Sequence, residues 1–132
     1  MTIVTLVHGG SGAAREAAIA ALATPVENTV AIIEGLAGAG SALDEGAAES
    51  KGVQIIRIAP GCPCCTGKLA MRVILNRALR KNPDRIFLSL APPGHLAGVI
   101  NFLEEDQYRE RLEIGTPVDC SVAGTGFANT GY

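Results

Sequence analysis

The chain of 132 residues has no tryptophan, three phenylalanines and two tyrosines. A core without many rings must be filled by Val, Ile, Leu and Ala, with little buried area per residue, so modest stability is expected. Neither sign of charge dominates: 11 basic against 13 acidic residues leave a net charge of −2. That removes the electrostatic case for non-specific nucleic-acid binding, and no nucleic-acid partner is expected. No apolar run approaches the roughly 18–20 residues that cross a bilayer. The start, Met1-Thr2-Ile3-Val4-Thr5-Leu6-Val7, lacks the basic region of a signal peptide. The expectation is a soluble, cytoplasmic protein with no membrane partner. What is abundant is apolar and small. Hydrophobic residues make up 48%, which argues against intrinsic disorder. Glycine and alanine together exceed a quarter of the chain, a composition suited to tight helix-on-sheet packing. The length fits one domain over residues 1–132, with a Gly-, Thr- and Asn-rich tail at 124–132 expected to be disordered.

Strand, helix and strand alternate along the sequence. Thr2–Val7, Thr29–Ile33, Val53–Ile58 and Arg85–Leu90 are β-branched or apolar runs without polar alternation, as in buried parallel strands. Ala13–Ala23 and Lys68–Lys81 read as helices. In the second, Met71, Ile74, Leu75, Ala78 and Leu79 follow the spacing of a core-facing stripe. His95–Arg111 reads as a third helix and Val118–Val122 as a short fifth strand. A long glycine-rich loop spans 35–52, with a helical turn around Ala42–Ser50. The order predicts an α/β fold with a mostly parallel sheet of about five strands. The loops at 8–12, 59–67 and 91–95 should meet at the carboxyl edge, where such sheets bind ligands.

His8-Gly9-Gly10-Ser11-Gly12 joins a strand to a helix, the setting of a phosphate loop. There, backbone N–H groups hold phosphate, a lysine reaches the β and γ phosphates, and a Ser or Thr holds Mg²⁺. With Gly12 set on the last glycine of G-x-x-x-x-G-K-[ST], Val7 falls on the first glycine, Ala13 on the lysine and Ala14 on the hydroxyl. Gly9, Gly10, Ser11 and Gly12 remain as a degenerate anion site. Arg15 lies two positions late, already inside the helix, and is a poor substitute for the lysine. A plain tight turn, residual nucleotide binding and nucleotide hydrolysis all stay open.

Gly61-Cys62-Pro63-Cys64-Cys65 is the most specific feature. Three thiols this close can converge on zinc or another thiophilic metal. The following helix favours their thiolate form. A fourth ligand would come from His95, Cys120, His8, water or a partner. Redox chemistry and a purely structural role are the alternatives, and Cys120 also reads as a buried strand residue. Glu104-Glu105-Asp106 point in different directions on a helix and read as solvated.

The series Gly10-Ser11-Gly12, Val30-Ala31-Ile32-Ile33-Glu34, Gly61-Cys62-Pro63-Cys64-Cys65-Thr66, Asp84-Arg85-Ile86-Phe87-Leu88 and Gly94-His95 resembles the CobW-like branch of P-loop GTPases, related to HypB and UreG. The resemblance runs from about residue 2 to 122. It implies a three-layer P-loop NTPase-like fold and a metallochaperone or metal-homeostasis role, with metal on Cys62, Cys64 and Cys65. It implies GTP and Mg²⁺ as ligands of the loop at 7–14. The family's strand-end carboxylate falls on Ser89, and its acidic and asparagine positions after Glu34 fall on Gly35 and Leu36. The sequence ends before a guanine-reading Asn-Lys-x-Asp segment. The expectation is a shortened, degenerate member that keeps the metal motif and hydrolyses little or no GTP. Its partners would be a metal ion, a metalloprotein client, a full-length CobW-like protein or a second copy of itself.

Overall fold

The structure, a computed structural model, describes residues 1–24, 28–34, 52–58, 68–90 and 96–122. Its strands are β1 (Thr2–His8), β2 (Thr29–Glu34), β3 (Val53–Ile58), β4 (Arg85–Ser89), β5 (Leu112–Ile114) and β6 (Val118–Asp119). Its helices are α1 (Gly12–Leu22), α2 (Lys68–Arg80) and α3 (Leu96–Leu103), with 3₁₀ turns at Asp106–Tyr108 and Cys120–Val122. All strand pairs are parallel, in the order β3-β2-β4-β1-β5. β6 also pairs with β1. Val7 pairs with Ser89 of β4 on one side, so its partner Val118 lies on the other, in line beyond β5.

Alternation along the strands divides the core. Val4, Leu6, Val30, Ile32, Ile86 and Leu88 pack against α2 and α3 through Met71, Leu75, Leu79, Val99 and Phe102. Val7, Ala31, Ile33, Val53 and Phe87 face α1 through Ala18, Ile19 and Ala23. The result is helix, sheet, helix: the α/β fold expected from the alternating elements, in the three layers that the resemblance implies. The α2 stripe faces the core as its spacing predicts: Met71, Leu75, Ala78 and Leu79 are buried, and Ile74 packs against them.

The expected sheet of about five parallel strands is borne out, with six among the described residues; β5 was not foreseen, because Leu112-Glu113-Ile114 is too short to show a pattern. Three expectations change. The helix expected over His95–Arg111 ends at Leu103. Tyr108 explains this. Six helical steps from Phe102 would swing it about 120° off the Phe102 face. With the helix broken, Tyr108 is fully buried, 5.6 Å from the Phe102 ring centroid, and its hydroxyl donates to Asn76 Oδ1 at 3.0 Å. Glu105 is not merely solvated, since it accepts from Arg72 at 2.9 Å. Glu104 and Asp106 are exposed as expected. The segment Val118–Val122 is strand only over Val118–Asp119, and Cys120 begins a 3₁₀ turn. Of the expected loop at 35–52, residues 35–51 with the helical turn lie outside the described residues, as does the tail at 124–132. Among the described residues no helix is long and apolar enough to cross a membrane.

Candidate functional site

The site is built where β1 runs into α1 at the carboxyl edge. Gly9 and Gly10 have φ of +75° and +63°, a region that side chains other than glycine's enter at a cost. The 3₁₀ turn after β6 presses on both. A Cβ at Gly10 would lie 2.5 Å from the Cys120 carbonyl oxygen, and one at Gly9 would lie 2.7 Å from Asp119 Oδ1. Gly12 differs: among the described residues a Cβ there would meet only Arg15 Nη2, at 3.7 Å. Ser11 caps α1: its Oγ accepts from the Ala14 N–H at 3.0 Å. Such a cap satisfies one of the helix's free donors.

Arg15 is the residue that sequence reasoning undervalued. It does lie inside α1, yet it is buried, and its side chain turns back to the loop. Nη1 donates to the carbonyl oxygens of Gly9 at 3.1 Å and Gly10 at 2.8 Å, while Nε donates to Ser89 Oγ at 3.1 Å. One guanidinium therefore ties the glycine loop to the end of β4. The available signal was its place in the first turn, because helical side chains lean toward the N-terminus.

Beside it, Glu16 takes a two-point ion pair from Arg57 at the end of β3, at 3.1 and 3.2 Å. The Glu16 side chain is 5% exposed and that of Arg57 21%. This pair was also missed in the sequence. The signal was Arg57 itself, a charge inside an otherwise apolar strand end. Together Arg15, Glu16, Ser89 and Glu34 place buried polar groups along the carboxyl edge.

The bracing turn has its own hydrogen bonds. Asp119 Oδ1 accepts from Ser121 Oγ at 2.6 Å and from the Ser121 N–H at 2.8 Å. These two bonds, with a smaller contribution from His8, hold its carboxyl below the usual carboxylate range. His8 is half-buried and lies in register with Asp119. Cys120 is a free thiol buried in the apolar cluster against α1, and burial pushes its pKa up despite the opposing charge of Arg15.

Of the residues singled out from sequence, the structure brings together Gly9, Gly10, Ser11, Gly12, Ser89 and Cys120. Cys62, Cys64, Cys65 and His95 lie outside the described residues, as do Gly35 and Leu36. Among the described residues no group of three His, Cys, Asp or Glu side chains could hold a metal ion.

Comparison with curated proteins and with solved structures gives no match. A family model described as CobW/HypB/UreG, nucleotide-binding domain, matches residues 3–121. That span takes in the sheet from Ile3 onward and the glycine loop, and it ends at Ser121 within the bracing turn. The chain therefore belongs to the CobW/HypB/UreG family, as a nucleotide-binding domain.

Proposed function

We propose that this domain binds a thiophilic metal, zinc first, and acts in metal homeostasis or as a regulator, with little or no GTP hydrolysis. The observation that carries the second half is Arg15. The cation of the loop is not a lysine at position 13 free to reach phosphate. It is a guanidinium bonded to the Gly9 and Gly10 carbonyls and to Ser89. Ala13 and Ala14 stand at the lysine and metal-holding hydroxyl positions, and Ser89 at the strand-end carboxylate. Phosphoryl transfer depends on charge placed against the γ-phosphate and on a held Mg²⁺. Those side chains supply neither.

The metal reading is supported by donor chemistry. Cys62, Cys64 and Cys65 lie in sequence between the end of β3 and the start of α2 at Lys68. Thiolates select Zn²⁺ and Cu(I) over hard cations, and proximity to a helix start lowers thiol pKa. The bound ion would be cargo or a regulatory ligand. Its recipient would be a metalloprotein client or a full-length family member. The test is metal analysis of protein purified under reducing conditions. The wild-type chain should retain metal that a Cys62→Ser/Cys64→Ser/Cys65→Ser variant loses. Equal metal content in the two would sink the reading.

The family match favours a second reading, in which nucleotide binds without being hydrolysed. The N-terminus of α1 still attracts an anion, and loop N–H groups could hold a diphosphate once Arg15 moved aside.

A further inference from the structure

At the opposite end of the sheet from the glycine loop, the C-terminal half of α2 lies over β3 and leaves an open groove of about 440 Å³. Its floor is apolar, made by Ile56, Ile74 and Ala78, and its rim is basic, with Arg77, Arg80 and Lys81. Val73, one turn before Arg77, is 48% exposed and extends the apolar surface along the helix. Lys81 Nζ donates to Gln54 Oε1 at 3.0 Å. Among the described residues Arg77 and Arg80 make no hydrogen bond or ion pair. Arg80 also borders a polar cleft that holds Asp84 and Glu110. Basic residues in a last turn complement the helix dipole. That accounts for the charge but not for the partly exposed isoleucines beneath it, Ile56 and Ile74. β3 is an edge strand: among the described residues it pairs only with β2. Exposed strand edges are places where an extended segment can add.

We propose that this groove docks an acidic segment of a partner protein that carries apolar side chains. The apolar groups would cover Ile56 and Ile74, and the carboxylates would meet Arg77, Arg80 and Lys81. Charge complementarity selects the partner's sign: the chain's net charge is −2, yet the cations Arg77, Arg80 and Lys81 line this groove. A nucleic acid would satisfy the rim but leave the apolar floor in water. The surface is small, so the contact is a transient one. It uses none of the loop residues and stands whether or not the metal reading does.

Selection of random displayed peptides against the full chain tests this. Enriched peptides should carry Asp or Glu interleaved with Leu, Ile or Phe. An Arg77→Glu/Arg80→Glu variant should bind them about tenfold or more weakly at unchanged melting temperature. If that double variant melts early, Lys81→Glu alone should show a smaller loss in the same direction. No enrichment, enrichment without acidic residues, or binding indifferent to these substitutions overturns the proposal. Single-stranded DNA binding as tightly through the same residues overturns it too, because the face would then read polyanions.

Discussion

The two faces of the sheet are packed by different means. On one, α2, α3 and the 3₁₀ turn that follows bury large apolar side chains, among them Met71, Leu75, Leu79, Phe102 and Tyr108. On the other, α1 packs through Ala18, Ile19 and Ala23 and carries buried charge toward its start, in Arg15 and Glu16. The first face holds by area removed from water. The second brings helix and sheet close with small residues and relies on hydrogen-bonded charge at its carboxyl end. In this chain the glycine loop, which the sequence resemblance would assign to phosphate, is tied to the end of β4 by Arg15. Retaining a phosphate loop's glycines is therefore compatible with a structural role for them.

The largest expected effect is on the apolar face. Leu75→Ala empties a fully buried site and should cost about 2–5 kcal/mol, read from urea unfolding. A loss well below that range would mean that α2 contributes less to stability than its burial implies.

This contrast also decides what was legible. β1 to β4 and α2 could be read because apolar residues recur at the period of a buried strand or helix stripe. The end of α3 could not, since only the pull of Phe102 on Tyr108 sets it. β5 is a three-residue edge with no period to find. At the site, the need for Gly9 and Gly10 was visible as a glycine turn, but its cause is a distant segment, Asp119–Ser121, that no local pattern reports. Arg15 and the Glu16–Arg57 pair escaped because buried charge runs against polarity rules. It is tolerated only when fully partnered, and the partners come from three different elements.

Smaller effects probe the charged face. Arg15→Met leaves the Gly9 and Gly10 carbonyls and Ser89 Oγ without their donor, and should destabilise by about 1–3 kcal/mol. Arg15→Lys should recover only part of this, since an ammonium cannot reproduce the fork that spans loop and strand. Full recovery by lysine would break the claim that the guanidinium ties two elements together.

The glycines separate next. Gly10→Ala should cost about 1–3 kcal/mol from backbone strain alone, with the Cys120 carbonyl contact adding to it. Gly12→Ala, inside α1 and with no contact closer than 3.7 Å among the described residues, should instead be neutral or stabilise by up to about 1 kcal/mol. Thermal melting of the pair checks this. Equal destabilisation would show that Gly12 is held by something other than fold.

The smallest effect is acid sensitivity. The carboxyl of Asp119 titrates below its ordinary 3.8 in the folded chain. Its contribution is fully present above that value and is lost as pH falls through the folded pKa. Asp119 is exposed, so the change is small. Asp119→Asn should flatten the acid limb of the melting-temperature profile below about pH 4, and an unchanged limb would assign that limb to other carboxylates.

Under the proposed function, Arg15 closes a loop in which Ala13 and Ala14 stand at the lysine and hydroxyl positions. GTP turnover by the full chain with Mg²⁺ tests it most directly, with and without added Zn²⁺. The account predicts phosphate release no faster than in buffer alone under both conditions. Turnover above that background, abolished by Gly10→Ala in a fraction shown to remain folded, would contradict it.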